Sequence, residues 1–109
     1  MSNQVIGNAT LTDTTLTDLI PAQGVGTHIY LTHILVTNAH ASQGTLVTIK
    51  DDTSGGTNIL CQGYAAAAGG GFALVVTNPI AANENRKVQA QCGTSGATVY
   101  VSVGGFKEV

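Results

Sequence analysis

The sequence contains no tryptophan, two prolines and two cysteines, and only 9% of its residues are charged. Each shortage excludes something. Four Lys and Arg against six Asp and Glu leave a formal charge of −2. A nucleic-acid surface needs clustered cations to displace counterions, so nucleic acid is not an expected partner. No apolar run reaches the roughly 18 to 20 residues that span a bilayer, and Lys and Arg are absent before position 50. The expectation is a chain without a transmembrane helix or signal peptide, made in a cytoplasm and with no membrane partner. Cys61 and Cys92 lack the close spacing and companion ligands of a zinc site. They read as reduced, buried small hydrophobes, as cytosolic cysteines usually are.

What is present points to strands. Thr, Val and Ile supply 33 of the 109 residues, and their branched Cβ atoms suit a pleated surface better than a helix. With 14 glycines as punctuation and few Glu, Lys, Arg or Met, long helices have little to be built from. The length suffices for one domain that buries about 65% of its unfolded area without a metal or disulfide. A surface so poor in charge either relies on Thr, Asn, Gln and Ser for solubility or is covered in a larger assembly.

Along the chain, residues 1–12 are polar and unpatterned apart from Val5, Ile6 and Leu11, and read as an N-terminal arm preceding a domain over 13–109. Thr10-Leu11-Thr12-Asp13 and Thr15-Leu16-Thr17-Asp18 form a small duplication, too short in period for a repeat architecture. Strands are expected over Leu16–Ile20, His28–Asn38, Gly44–Asp51, Asn58–Tyr64, Phe72–Asn78 and Lys87–Cys92, with a last one around Val99, Val101 and Val103. In the His28–Asn38 run the apolar face changes midway, which implies a bulge near His33 or burial of both faces. Inward candidates are Val47, Ile49, Ile59, Cys61, Phe72, Leu74, Val76, Val88, Ala90 and Cys92. The spacing of these segments, seven with an eighth in the arm, predicts a single antiparallel β-sandwich. Without the tryptophan of an immunoglobulin core, the choice tilts to a jelly roll.

No chemistry assembles from the motifs. His28 and His33 have opposite parity on a strand and His40 lies beyond its end, so the three do not read as a metal site. Asp51 and Asp52 sit beside a Gly-rich turn but lack a calcium-loop spacing, and read as a solvated turn continuing through Ser54, Gly55 and Gly56. Asp13 and Asp18 have no third group to tune them. Each cysteine falls on the apolar parity of a strand, no Gly-x-Ser-x-Gly elbow occurs, and Gly69-Gly70-Gly71 lacks the Lys of a phosphate loop. The expectation is a protein that is not an enzyme and uses no cofactor or metal. The rings number three Tyr and two Phe; Tyr30, Tyr64 and Tyr100 are the only platform for a sugar. The loop Ala65–Gly71 offers no charge and no ring. It reads either as a connector or, through Ala66, Ala67 and Gly70, as a flat contact with another subunit.

The order Thr10-Leu11-Thr12-Asp13, Ile34-Leu35-Val36-Thr37-Asn38, Gly44-Thr45-Leu46-Val47-Thr48-Ile49-Lys50-Asp51, Gly69-Gly70-Gly71, Asn78-Pro79-Ile80 and Val99-Tyr100-Val101-Ser102-Val103-Gly104-Gly105-Phe106 resembles the small head-decoration, or cement, proteins of tailed bacteriophages. The likeness runs from about Thr10 to Phe106 and is compositional. It implies a jelly-roll-like virion protein, often a homotrimer, that binds the major capsid protein on the outer surface of the head and reinforces the shell. It also implies that an arm, here with Asn3, Gln4, Val5 and Ile6, reaches a neighbouring subunit. The alternative is a tail- or fibre-associated module that recognises a cell-surface glycan.

Overall fold

The computed structural model describes residues 3–53 and 58–109. Eight strands are present among them: β1 (Gln4–Leu11), β2 (Thr17–Ile20), β3 (His28–Asn38), β4 (Thr45–Asp51), β5 (Ile59–Ala65), β6 (Gly71–Ala81), β7 (Val88–Cys92) and β8 (Val99–Glu108). They form two four-stranded antiparallel sheets, β1-β8-β3-β6 and β2-β7-β4-β5. First pairs with last, second with seventh, third with sixth and fourth with fifth. This is one long hairpin folded over so that alternate rungs fall in opposite sheets, the jelly-roll arrangement. The fold class read from the sequence is therefore the observed one, and the strand order selects the jelly roll over the immunoglobulin topology.

Alternation places Leu11, Ile29, Leu31, Ile34, Val36, Val47, Ile49, Val88, Ala90, Val99, Val101 and Val103 between the sheets, each at most 2% exposed. Apolar area removed from water there drives the two layers together. The change of face in β3 comes from a bulge: register slips between Leu31 and His33 against both β8 and β6. Against β8 Thr32 is the extra residue, whereas against β6 the surplus lies in β6 between Val75 and Ile80; Ile29 and Leu31 on one side of Thr32 and Ile34 and Val36 on the other all point inward. Across from the bulge stand Gly104 and Gly105. A Cβ on Gly105 would fall 1.8 Å from the Tyr30 carbonyl oxygen, and one on Gly104 would strike the His33 ring. Only glycine admits that approach.

Two expectations require correction. The eighth strand expected in the arm is present from Gln4 on, but it belongs to the sandwich and does not precede it as an arm, because Val5, Gly7, Ala9 and Leu11 form an inward face and all eight residues pair with β8. Small residues hid the pattern. Gly7 is required there, since a Cβ would lie 2.1 Å from the Leu19 carbonyl oxygen where β2 closes the sandwich. Ile59, expected inside, is 50% exposed because register shifts between Ile49 and Lys50 opposite β5 and turns it outward. The first two residues of the expected arm, and Ser54, Gly55 and Gly56 of the expected turn, lie outside the described residues.

Candidate functional site

Cross-strand register on the outer face of β1-β8-β3-β6 gives four rows: Gln4, Phe106, Tyr30, Ala81; Ile6, Gly104, His33, Val75; Asn8, Ser102, Leu35, Ala73; and Thr10, Tyr100, Thr37, Gly71. None of these is Asp, Glu, Lys or Arg; a fifth, two-strand row on the same face pairs His28 with Glu108 and adds one carboxylate at its end. Apolar side chains stand in solvent here, with Ile6 61%, Leu35 51%, Val75 84% and Tyr100 51% exposed. At strand spacing and rise the grid, its polar positions included, covers about 400 Å²; the largest apolar patch of an ordinary monomer is of that order and is often functional. The Thr32 hydroxyl donates across the face to the Gly104 carbonyl at 3.4 Å, and Tyr30 stacks on Phe106 with ring centroids 5.1 Å apart.

The outer face of the second sheet has another character. Its rows are Asp18, Gln89, Lys50, Ile59, then Gln91, Thr48, Gln62, then Leu46, Tyr64. Their polar groups engage one another. Gln62 Nε2 donates to Thr48 Oγ1 at 2.8 Å, Gln89 Nε2 to Asp18 Oδ1 at 2.9 Å, and Gln91 Nε2 to the Thr14 carbonyl at 2.8 Å. Lys87 pairs with Asp18 at 3.1 Å. The hydrogen bond from Gln89, then that from Lys87, hold the Asp18 carboxyl below its usual range.

The ionisable residues singled out in the sequence do architectural work. Asp51, on the same inward parity as Val47 and Ile49, is fully buried. Its carboxylate accepts from the amides of Thr53 at 2.9 Å and Asn83 at 2.8 Å, and from Asn58 Nδ2. Burial pushes its pKa up, but these donors outweigh burial and the net position is below the usual carboxylate value. Asp51 thus ties the end of β4 to the β6–β7 connection rather than sitting in a solvated turn. Asp52 extends the tie by exchanging bonds with the Lys87 backbone.

Asn38 and His40 hold a second knot. Asn38 Nδ2 donates to the carbonyls of Gln43 and Ala65, and His40 Nδ1 accepts from the amides of Ser42 and Gln43. Ala68 and Gly69, both with positive φ, donate their amides to the carbonyls of His40 and Asn38. The loop is therefore pinned to β3, and Ala66 and Ala68 project from it into solvent.

The expected contact residues do not form one patch. Gln4 and Ile6 lie on the neutral outer face, Asn3 is exposed beside it, and Val5 is only 8% exposed within the core. Ala66, Ala67 and Gly70 belong to the opposite end of β3, since Gly70 bonds Asn38 whereas Gln4 shares a row with Tyr30. The sequence did not reveal Leu35, Val75 and Tyr100 as companions of Ile6, because only the strand order makes them neighbours.

The tyrosines are likewise divided, with Tyr30 and Tyr100 on one sheet and Tyr64 on the other. Cys61 and Cys92 both oppose β4, from β5 and β7 on either side. Two strand spacings of about 4.8 Å separate them, beyond disulfide reach, and both are free. Burial raises the Cys61 thiol pKa and so lowers its reactivity. Among the described residues no three of His, Cys, Asp and Glu converge. Two shallow depressions are present, one lined by Asn3, Gln23, Thr27, Lys107, Glu108 and Val109, the other by Thr14, Leu46, Thr48, Gln91, Cys92 and Gly93. No protein-family model matches the chain, and comparison with curated proteins gives no match.

Proposed function

We propose that this chain is a structural virion protein that attaches to the outer surface of a bacteriophage capsid and stabilises it by non-covalent contacts. The observation that carries the reading is the outer face of β1-β8-β3-β6, whose four full rows hold no Asp, Glu, Lys or Arg and where Ile6, Leu35, Val75 and Tyr100 stand in water on a rigid sheet. Exposed apolar area on a fixed scaffold gains free energy when a second surface covers it. A preformed sheet loses little conformational entropy in docking. The jelly roll and the resemblance from Thr10 to Phe106 support the same reading. The mechanism is burial of area: no bond is made or broken, and modest contacts add over a repeating shell.

The test uses phage heads lacking the protein. Purified chain should co-sediment with them and raise the temperature at which they release DNA. The double substitution Leu35→Lys with Val75→Lys should weaken attachment at least about tenfold, since each charge must be desolvated at the contact, while its unfolding curve stays that of the parent. Heads that fail to take up the parent chain, or take up the double variant equally well, would refute the proposal.

A further inference from the structure

Four strands end the two sheets: β1 and β6 in one, β2 and β5 in the other. An end strand offers a row of unpaired backbone groups that templates another strand, and proteins blunt such rows with shortness, charge, proline or bulges. Three of the four are blunted here. β2 has four residues, includes Asp18 and slips register between Asp18 and Ile20. β5 slips opposite Ile49 and Lys50. β6 slips beyond the His33–Val75 pair and contains Pro79. β1 carries none of these devices. Its eight residues, Gln4–Leu11, run in unbroken register along β8 with no charge and no proline.

We infer that β1 is the edge along which two copies of this chain pair, antiparallel and about a two-fold axis. The occupant follows from the strand itself. A strand pairs antiparallel with its own copy by a two-fold rotation alone. Facing residues must share a side of the sheet, so the axis passes through a residue. With the axis at Gly7, Ile6 faces Asn8 of the second copy and Gln4 faces its Thr10; with the axis at Asn8, Ile6 faces its Thr10. Neither register opposes like charges, the repulsion that prevents charged edges from pairing with themselves. The outcome is one continuous sheet across two subunits, with the neutral outer face doubled.

A junction about 25 Å long is smaller than the standard contact of about 800 Å² per partner. The pairing is therefore expected to be weak, with a midpoint within the concentrations tested below. This two-fold pair differs from the threefold arrangement that the resemblance implies. It is a property of the free chain and stands independently of the capsid reading.

Sedimentation velocity of the full chain between about 1 and 300 µM should show monomer giving way to dimer. Asn8→Lys places an ammonium on an exposed edge position and should raise the midpoint by about tenfold or more. Thr77→Lys, exposed on the blunted β6 edge, should leave it unchanged. Hydrogen exchange on the parent protein supplies a readout that needs no variant. The β1 amides should slow at high concentration, and those of β6 should not. A monomer throughout, a trimer, a dimer indifferent to Asn8→Lys, or added protection at another edge would each overturn the inference.

Discussion

The two outer faces of this sandwich come from strands of the same alternating kind and both expose large apolar side chains, Leu46, Ile59 and Tyr64 on the second sheet, yet they differ in their polar and charged positions. On β2-β7-β4-β5 the polar side chains bond one another, as in Gln62 with Thr48 and Gln89 with Asp18. On β1-β8-β3-β6 the same positions hold Ile6, Leu35, Val75 and Tyr100. Inward residues decide the fold of both sheets, so the difference between the outer faces is not required by folding. Under the proposed function, the face of β1-β8-β3-β6 is the one that becomes covered.

The contrast presupposes a single shared core, and removing β1 is the severest way to break it. A chain beginning at Thr12 loses Leu11 and Val5 from between the sheets and exposes β8 along its length. It should lose cooperative thermal unfolding, and calorimetry will show this as disappearance of the transition. If amides of β2-β7-β4-β5 kept their exchange protection in that chain, the two faces would belong to independently stable layers and the single-core account would fail.

Next in size is the buried tie at the charged end. Asp51→Ala leaves the donors of Thr53, Asn83 and Asn58 without their acceptor and should cost about 3 kcal/mol in urea unfolding. The milder Asp51→Asn gives the pH dependence. Because the folded carboxyl lies below 3.8, its ionisation adds stability that is fully present above the unfolded value and is lost as pH falls through the folded one. The urea midpoint of the parent should therefore exceed that of Asp51→Asn near neutral pH, and the gap should narrow as pH drops below 3.8.

Smaller effects on stability sharpen the comparison between faces. Thr48→Lys with Gln62→Lys, the mirror of the neutral-face double substitution, should leave attachment to heads unchanged and move stability by about 1 kcal/mol or less. Lys87→Ala removes an ion pair whose side chains are 36% and 57% exposed. Solvent screens such pairs, and chemical denaturation should detect a change of no more than about 0.5 kcal/mol.

Periodicity made much of the fold legible. Val99, Val101 and Val103 and the run His28–Asn38 fall where the sequence places them, because each strand buries one face and alternation reports it directly. That β1 belongs to the core is less legible than its being a strand, since its inward positions are Gly7 and Ala9 as well as Val5 and Leu11; small residues pack there but carry little hydropathy. Asp51 was readable from its parity with Val47 and Ile49, although a carboxylate next to a turn suggests solvent. The neutral face could not be read at all. Its rows join residues from β1, β3, β6 and β8, and that adjacency exists only once the long hairpin has folded over.

Thr32 gives β3 one residue more than its pairing with β8 requires, and the sheet absorbs the surplus by bending over Gly104 and Gly105. Struck from the chain, it would leave Leu31 followed by His33 in ordinary alternation, every side chain still on its present side. What the surplus residue sets is therefore curvature: it shapes the contour that any surface lying against these strands has to follow.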